Sequence, residues 1–320
     1  MDVSESPGLV VLRPGLLTTV QDLGRWGSQA LGVPVAGPMD TFAHRLANAL
    51  VGNPAAAATL EVTLLGPELR AERALVVAVA GAAFELTVDG RPVGHQASFA
   101  LAPGAVLRFG ARQGGSRAYL AVAGGIDTPP VLGSRSTHLV SGMGGLAGRA
   151  LVSGDVLPVG TPTRGGPPRA GRPLTRPVPA ARPALRVMLG PQDAWFSRQS
   201  VETLLHELYR VSTKSNRMGF RLEGPALAVV RPEEALSEPV PFGAIQVPAG
   251  GAPILLMADR QTAGGYPKIA TVITADLPVA GQLGPGDVVT FTACIRAEAR
   301  AALLAREREL LRAMPEQVGA

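Results

Sequence analysis

Short apolar stretches separated by glycine and proline dominate the hydrophobic pattern of this chain. Leu75–Val79 and Ile254–Met257 are unbroken apolar runs, which is typical of strands that are buried on both faces. In Phe84–Val88 apolar residues alternate with polar or small ones. The Asp89-Gly90 pair that follows predicts a two-residue hairpin turn, because glycine adopts a positive φ at little cost. The pattern therefore predicts a mainly β protein.

Three segments have a helical pattern instead. Asp40 can cap a helix over Thr41–Leu50, which Gly52 would end. Asp193–Leu208 is a second candidate, and Cys294–Met314 is a third, rich in Ala, Arg, Glu and Leu. The third segment is predicted to be an amphipathic helix that packs on a barrel or on a partner. Its apolar residues are expected on one side: Leu303, Leu310, Leu311 and Met314.

Three four-residue stretches resemble one another, and an apolar run follows each. They are Pro103–Val106, Ser153–Val156 and Pro285–Val288, and each has glycine at its second position. We expect a turn that leads into a strand at each of them. Their recurrence in both parts of the chain favours a two-fold β architecture.

Composition and spacing divide the chain into parts. Glycine (39) and proline (29) together exceed a fifth of the 320 residues, while hydrophobic residues make up 46%, which excludes a largely disordered chain. Residues 159–183 hold seven prolines without apolar periodicity, which is typical of an extended linker or a loop. We therefore predict an N-terminal β domain over 8–158, this linker or loop, a C-terminal β domain over 184–293 and a C-terminal helix over 294–314.

The positive net charge of the chain arises from one segment. The net charge is +5, and five arginines without any acidic residue lie within 159–183, so the rest of the chain is balanced. A nucleic-acid partner is therefore not expected. The single cysteine, Cys294, excludes an intramolecular disulfide and fits a reducing compartment. Residues 1–8 have no basic apolar run, and no apolar run reaches the ~20 residues of a membrane span, so we expect a cytoplasmic protein with no membrane partner.

The common catalytic signatures are missing from the sequence. It contains no G-x-x-x-x-G-K-[ST] loop and no G-x-S-x-G elbow, and its four histidines are too far apart for metal-ligand spacing. No metal site is therefore predicted. Gly142–Ala147 matches G-x-G-x-x-A, but neither a helical pattern nor a downstream acid follows, which argues against a dinucleotide site.

Polar residues embedded in glycine-rich turns remain as candidates for chemistry. Asp22 and Arg25 stand three apart beside a glycine, and they form either a salt-bridged turn or a carboxylate and a guanidinium that face a ligand. Glu61 interrupts an apolar strand-like run, so it is either exposed at an edge or a buried functional acid. Gly133–Thr137 surrounds an arginine with small hydroxyls, which suits anion contacts and equally a plain polar loop.

The second half of the chain contains three similar clusters, over 212–222, 243–248 and 259–268. The first of them combines three cations with several hydroxyls. Lys268, in the last, is one of only two lysines in a chain that otherwise uses arginine. A lysine in such a chain suggests a compact point charge for a phosphate group.

At these residues the chain resembles the C subunit of bacterial 5-oxoprolinase. This family is also named allophanate hydrolase subunit 2, antagonist of the sporulation-kinase inhibitor, or biotin-dependent carboxyltransferase family protein. The resemblance runs from about Pro14 to Phe291. The motifs that carry it are Gly15–Arg25, Gly32–Pro34, Gly37–Asp40, Ala47–Asn53, Gly133–Thr137, Arg217–Gly219 and Asp259–Pro267.

The resemblance implies two cyclophilin-like β-barrel halves with a few short helices and a C-terminal helix. It also implies partners, because such proteins work with a B subunit of similar fold and an A subunit in an ATP-dependent 5-oxoprolinase. That enzyme opens the lactam of 5-oxo-L-proline with ATP and water to give L-glutamate, ADP and phosphate. We expect the chain to be inactive alone and to share ATP with Mg²⁺ with its partner subunits. Neither lysine lies in a biotinyl-lysine motif, so no biotin is expected on this chain.

A chemical hypothesis assigns roles to the candidate residues. An unstrained lactam is a poor electrophile, and phosphorylation of its oxygen would prepare it for attack by water. Such a reaction requires cations around the phosphoryl oxygens and carboxylates that orient water or Mg²⁺. The predicted catalytic residues are Asp22, Arg25, Asp40, Arg217, Asp259 and Lys268. The residues predicted to bind substrate or nucleotide are Gln21, Asn48, Glu61, Ser134, Arg135, Ser136, Ser215, Gln246, Gln261 and Tyr266.

Two alternative functions remain open. One is a regulatory protein that binds and antagonises a histidine-kinase inhibitor without any chemistry. The other is a carboxyltransferase-like component of a urea carboxylase or allophanate hydrolase system. The three functions differ in the partner that each requires.

Overall fold

A computed structural model describes residues 7–162, 182–230 and 236–313 of the chain. The chain divides into two compact units. Unit 1 comprises Met1–Arg25, Ala36–Val178 and Arg308–Ala320, and unit 2 comprises Trp26–Val35 and Pro179–Glu307. Most of the predicted linker, residues 163–181, lies outside the described residues. Val159, predicted as its first residue, is buried and forms a β-bridge with Ile126, so it continues the first unit.

Unit 1 is built on one nine-stranded sheet with the order β2-β3-β8-β4-β1-β9, in which β5 pairs with β6, β7 and β8. The neighbouring strands are antiparallel. The strands are β1 (Pro7–Arg13), β2 (Leu17–Gln21), β3 (Thr59–Thr63), β4 (Glu68–Ala71), β5 (Leu75–Val88), β6 (Arg91–Pro92), β7 (Ser98–Leu101), β8 (Val106–Val122) and β9 (Val156–Pro158). Helix α1 (Thr41–Leu50) begins after Asp40, whose carboxylate accepts a hydrogen bond from the amide of Ala43 at 2.8 Å, as predicted.

Two apolar layers form the interior of unit 1. One is a large buried cluster of side chains from the sheet, with residues such as Val11, Leu60 and Leu107. The other lies between α1 and the sheet, where Phe42 and Leu46 belong to a buried cluster with Ala78, Tyr119 and Leu310. At the predicted hairpin Val88 pairs with Arg91, and Asp89 and Gly90 both have a positive φ, so the two-residue turn is confirmed.

Unit 2 is a closed barrel with the strand order β10-β17-β14-β15-β12-β11-β18. The pair β10–β18 is parallel, and the other barrel pairs are antiparallel. The strands after β9 are β10 (Ala184–Leu189), β11 (Tyr209–Val211), β12 (Gly219–Glu223), β13 (Glu238–Pro239), β14 (Ala244–Gln246), β15 (Ile254–Leu256), β16 (Ala263–Gly264), β17 (Lys268–Val272) and β18 (Val288–Ala293). The later helices are α2 (Arg198–His206), α3 (Leu277–Gly281) and α4 (Arg296–Ala313). Strands β13 and β16 form a separate two-stranded sheet.

The prediction of a mainly β chain with a few short helices and a C-terminal helix is confirmed. The start of the second helix differs from the prediction. The second helix was expected from Asp193, but residues 193–195 form a 3₁₀ turn and α2 begins only after Ser197, whose hydroxyl accepts from the amide of Ser200 at 3.0 Å. The capping hydroxyl therefore sets the start of the helix.

The apolar side predicted for the C-terminal helix is wrong in part. Leu310 is buried, whereas Leu311, the next residue, is 64% exposed. Consecutive helical positions lie about 100° apart, so these two leucines cannot share a narrow face. Met314 lies outside the described residues.

The three similar turns have one geometry. Gly104, Gly154 and Gly286 have φ values of 82°, 89° and 90°, which only glycine adopts cheaply. In each turn the glycine amide donates to a carbonyl oxygen of another strand or its end at 2.7–2.8 Å. The acceptors are Ala71, Val11 and Val211, in that order. Each turn therefore fixes the register of the strand that follows it: β8, β9 and β18.

Two negative findings concern the described residues. Gly142–Ala147 lies in turns and isolated bridges, and the next regular element is β9 rather than a helix. None of the helices over the described ranges is long and apolar enough to cross a membrane.

Candidate functional site

Two sequence clusters that were predicted separately meet around the carboxylate of Asp22 in unit 1. Its Oδ1 atom accepts hydrogen bonds from Ser134 Oγ at 2.5 Å, from Ser136 Oγ at 2.7 Å and from the amide of Gly24 at 2.9 Å. Its Oδ2 atom accepts from the amide of Arg135 at 2.5 Å. Asp22 is buried, so the carboxylate exchanges water for four protein donors.

These donors decide the charge of Asp22. Burial by itself raises the pKa of a carboxyl group, but the hydroxyls of Ser134 and Ser136 and the two amides outweigh burial and hold the pKa of Asp22 below its ordinary 3.8. A carboxylate with so low a pKa stays ionised at neutral pH and is a poor general base. In the structure, the hydrogen bonds of Asp22 hold residues 134–136 against the end of β2.

Arg25 holds the same loop from the other side. Its Nη2 atom donates to the carbonyl oxygen of Ser136 at 2.5 Å, and its Nε atom lies 3.4 Å from the carbonyl oxygen of Val131. Gly144 leaves room for this contact, because a Cβ there would lie 2.5 Å from Nη2 of Arg25 and 2.2 Å from the oxygen of Ser136. Arg25 is fully buried, so its guanidinium acts on the protein backbone.

The side chain of Arg135 has a different environment from that of Arg25. It is 35% exposed, and its Nη2 atom lies 2.5 Å from Oδ1 of Asp127, which is also partly exposed. The Asp22 cluster therefore fixes the backbone of Arg135 and leaves its guanidinium at the surface, paired with a carboxylate.

Asp40 and Glu61 belong to a second buried network of unit 1. The hydroxyl of Tyr119 donates to Oε2 of Glu61 at 2.7 Å and accepts from the amide of Asp40 at 2.8 Å. Oε2 of Glu61 also accepts from the amide of Met39 at 2.9 Å. Glu61 lies on β3 between β2 and β8, so an exposed edge position is excluded. Burial and the nearby Glu61 raise the pKa of Tyr119 well above its usual value, which keeps the phenol protonated as the donor.

Gln21 and Asn48 lie nearby in buried positions. Nε2 of Gln21 donates to the carbonyl oxygen of Thr137 and to Oγ1 of Thr19, both at 3.1 Å. Asn48 donates to the carbonyl oxygen of Ala57 at 2.8 Å and accepts from Asn53 at 3.0 Å. These amides join the end of β2 and the end of α1 to neighbouring backbone.

In unit 2, two of the predicted catalytic residues form a buried ion pair. Nε and Nη2 of Arg217 lie 3.0 Å from Oδ2 and Oδ1 of Asp259, a two-bond geometry. The side chains are 5% and 3% exposed. The amide of Asp259 also donates to the carbonyl oxygen of Arg217 at 2.9 Å. The two predicted catalytic residues are therefore in contact, although 42 positions separate them.

Lys268 forms the second ion pair of unit 2, with a residue that sequence reasoning missed. Its Nζ atom lies 2.7 Å from Oε1 of Glu238. Gln192, also missed, donates from Nε2 to the same oxygen. Oε1 of Gln192 accepts from the amide of Lys268 at 3.0 Å, which fixes the orientation of the carboxamide. The hydrogen bond from Lys268 is the main cause that lowers the pKa of Glu238.

Other predicted residues lie around this pair or apart from it. Gln246 is the cross-strand partner of Lys268, and its Nε2 atom donates to the carbonyl oxygen of Tyr266 at 3.3 Å. A Cβ on Gly264 would lie 2.3 Å from Nε2 of Gln261 and 3.2 Å from that of Gln246, so both carboxamides approach this glycine closely. Ser215 lies elsewhere: its hydroxyl accepts from the amide of Arg221 at 3.0 Å.

Each unit therefore has its own candidate cluster, one around Asp22 in unit 1 and one around Lys268 in unit 2. Tyr119, Gln192 and Glu238 were missed because none of them lies in the glycine-rich polar clusters that supplied most of the candidates. Within residues 7–162, 182–230 and 236–313, no group of three His, Cys, Asp or Glu side chains is placed to hold a metal ion. The predicted acids Asp22, Asp40 and Asp259 each have partners within the protein.

Comparison with known proteins shows extensive similarity. The family model described as "Carboxyltransferase domain, subdomain A and B" matches residues 31–293. The C subunit of 5-oxoprolinase from Escherichia coli (strain K12) is 40% identical over 291 residues, which cover 91% of this chain and 93% of that protein. The urea amidolyase of Lachancea kluyveri is 36% identical over 308 residues, 88% of this chain but 16% of that protein.

A solved structure has the same fold. The crystal structure of the Kluyveromyces lactis urea carboxylase matches with a TM-score of 0.89 and 32% identity, over 100% of this chain and 30% of that chain. The likeness extends over both units of the protein described here.

Proposed function

This chain belongs to the carboxyltransferase domain family, subdomains A and B, and on that premise we propose that it is the C-type subunit of an ATP-dependent 5-oxoprolinase. The enzyme would hydrolyse 5-oxo-L-proline to L-glutamate, with ADP and phosphate as the other products. It would act with an A subunit and with a B subunit of similar fold. This chain would contribute binding residues and would be inactive alone.

One observation carries the proposal. The E. coli relative, which is named as the C subunit of 5-oxoprolinase, matches this chain over nearly the full length of both proteins. The urea amidolyase match covers only about a sixth of that longer protein. The 5-oxoprolinase subunit is thus matched along nearly all of its length, whereas the urea amidolyase is matched in one section only.

The nucleotide is the part of the proposal that this chain supports least. ATP with Mg²⁺ needs free carboxylate and cationic groups around its phosphates. The predicted groups of this chain are engaged internally: Asp22 by four donors, Arg217 by Asp259 and Lys268 by Glu238. These residues do not fit a self-contained Mg²⁺–ATP site, so we assign no phosphoryl-transfer step to them. Our proposal is that the nucleotide is bound with the partner subunits.

Reconstitution tests the proposal. The chain, the A and B subunits together, and the mixture of all three are incubated with ATP and 5-oxo-L-proline, and glutamate and ADP are measured. We expect turnover in the full mixture alone. Full activity from A and B without this chain contradicts the proposal, as does an inactive full mixture of folded subunits.

Variants then test the residues. Lys268→Ala in the full mixture is expected to lower turnover, and Lys214→Ala, which removes the other, exposed lysine, is the matched control. Arg25→Ala and Arg217→Ala are compared at a temperature below their melting points, because both side chains are buried. Full activity of all three site variants contradicts their assignment to substrate or anion contacts.

The second candidate is a carboxyltransferase-like component of a urea carboxylase system. The match to the K. lactis urea carboxylase, over all of this chain and 30% of that chain, favours it. It requires a biotinylated carrier protein, since the chain has no biotinyl-lysine motif. Urea-dependent carboxyl transfer from a carboxylated biotin carrier, in the absence of the A and B subunits, would support this function over the first.

A further inference from the structure

We propose that Lys268 and Gln192 form a carboxylate-binding subsite, and that Glu238 occupies this subsite until the carboxylate of a small substrate displaces it. The inference rests on the proposed function for the identity of that substrate, a lactam acid. It adds a binding site, a competing side chain and a reason why a lactam acid is preferred over an uncharged amide.

Exposure distinguishes this ion pair from two others in unit 2. In Arg217–Asp259 both side chains are buried, at 5% and 3% exposure. In Arg186–Asp276 the anion is buried at 8% and the cation is 43% exposed. In Lys268–Glu238 the cation is buried at 2% and the carboxylate is 38% exposed. Of these three pairs, the last is the one whose anion can leave for solvent while the cation stays in place.

The buried ammonium requires an anion. An unpaired charge in the protein interior is strongly destabilising, so Lys268 must keep a negative partner. Glu238 has no such requirement, because a partly exposed carboxylate regains water when it leaves the pair. A carboxylate from a ligand therefore satisfies Lys268 as well as Glu238 does, and the exchange keeps the charges balanced.

Gln192 is already positioned for such a ligand. Its Oε1 atom accepts a hydrogen bond from the backbone amide of Lys268 at 3.0 Å, and its backbone amide donates to the carbonyl oxygen of Lys268 at 3.1 Å. Its Nε2 atom and Nζ of Lys268 point at one oxygen, Oε1 of Glu238. When Glu238 moves away, these two donors still converge on the same position, which suits one oxygen of a carboxylate.

Direct binding tests the subsite. Binding of 5-oxo-L-proline to the full chain is measured by calorimetry for the wild type, Glu238→Gln, Lys268→Met and Lys214→Met. If Glu238 fills the subsite about 90% of the time or more, its removal strengthens binding about tenfold or more. We expect that gain in Glu238→Gln, loss of binding in Lys268→Met, and wild-type affinity in Lys214→Met, which changes an exposed lysine.

Two further probes identify the recognised group. 2-Pyrrolidinone has the lactam ring without the carboxylate, and urea has an amide without a charge. Neither should bind Glu238→Gln more tightly than the wild type. An equal gain for 2-pyrrolidinone would show that the variant merely opens space, and it would overturn the inference.

The folding and the binding of the Glu238 variants also test the proposal. Glu238→Gln removes the negative charge that competes with the ligand and keeps the size of the side chain, and its melting temperature shows whether it is folded. Should it unfold, Glu238→Asp takes its place, because the shorter side chain loosens the pair and predicts the same direction of change. A folded variant that binds 5-oxo-L-proline no more tightly than the wild type overturns the proposal.

Failure of the proposed subsite can be distinguished from failure of the proposed function. Turnover by the full mixture of subunits without any effect of Glu238→Gln on binding retains the function and removes the subsite. Binding that depends on Lys268, without turnover in any mixture, retains the subsite and removes the function.

Discussion

Oδ1 of Asp22 accepts a 2.5 Å hydrogen bond from the hydroxyl of Ser134, which is 112 positions away in the sequence. Ser136 and the amide of Arg135 bind the same carboxylate. One ionised side chain thus fixes the loop that carries Arg135, a residue whose guanidinium remains partly exposed. This relationship makes the stability of the loop depend on the charge of Asp22.

Asp22→Asn should therefore destabilise the protein by about 2–3 kcal/mol at pH 7, because the carboxamide has one acceptor oxygen and places a donor against the amide of Arg135. The folded-state pKa of Asp22 lies below its ordinary value, so its contribution is present at neutral pH and is lost as the pH falls through the folded-state pKa. Urea unfolding at pH 7 and at acid pH measures both effects. Asp127→Asn, which alters a partly exposed ion pair, should cost less than about 1 kcal/mol.

The local features of the fold could be predicted from the sequence. The hairpin at Asp89-Gly90 and the turn at Gly154 are determined by residues within a few positions, because glycine supplies a conformation that other residues adopt only with strain. The start of α1 follows in the same way from the carboxylate of Asp40. The start of α2 was missed, since Asp193 and Ser197 are both acceptable caps, and in the structure the hydroxyl of Ser197 caps the helix.

Many residues of the two clusters could be predicted one by one, but their contacts could not. Asp22 and Ser134 were both candidates, yet their contact depends on how the sheet brings distant segments together. Glu238 carried no signal at all, because it lies outside the glycine-rich polar clusters and acquires its role only through Lys268, 30 positions later. Long-range pairing of β segments is the information that one sequence does not supply.

A second prediction concerns the close approach of Gly144 to Arg25 and Ser136. Gly144→Ala should destabilise the protein by about 1–3 kcal/mol more than Gly142→Ala. Both glycines have a positive φ, 69° and 61°, so the strain of the left-handed backbone is common to both variants. A Cβ at position 142 meets no atom within 4 Å, whereas at 144 it meets the oxygen of Ser136 at 2.2 Å. Thermal unfolding of both variants makes the comparison, and equal losses would contradict the steric argument.

A third prediction concerns His44, which is buried on α1 and bonded to Oγ1 of Thr59 at 2.9 Å and to the carbonyl oxygen of Ala55 at 3.0 Å. Burial lowers the pKa of His44 to about 4 from an ordinary 6.5. Below pH 6.5 the unfolded chain takes up a proton that the folded chain refuses, so stability falls between pH 6.5 and about 4. His44 should contribute ~3 kcal/mol to this fall.

The test of this prediction compares the slope of unfolding free energy against pH. His44→Gln should be less stable than the wild type at pH 7 and should show a flatter slope between pH 6.5 and 4.5. His206→Gln changes an exposed histidine at the end of α2 and should leave the slope as it is. An unchanged slope in His44→Gln would show that other groups cause the acid sensitivity.

The last prediction separates a structural role from a direct role for Arg217 and Asp259. Either single change, Arg217→Leu or Asp259→Leu, leaves one buried charge without its partner and should cost about 3–5 kcal/mol. The double variant removes both charges, so its loss should be clearly smaller than the sum of the two single losses. The exposed pair Arg198–Glu202 gives the control, for which the corresponding changes should each cost less than about 0.5 kcal/mol.

The activity of the same variants distinguishes the two roles. If the pair acts only by stabilising unit 2, the folded double variant should regain turnover in the full mixture of subunits along with its stability. If Arg217 contacts substrate, the double variant should stay inactive although its stability is restored. Because stability and turnover then move in different directions, the double variant distinguishes a charge that holds the barrel together from one that acts on the reaction.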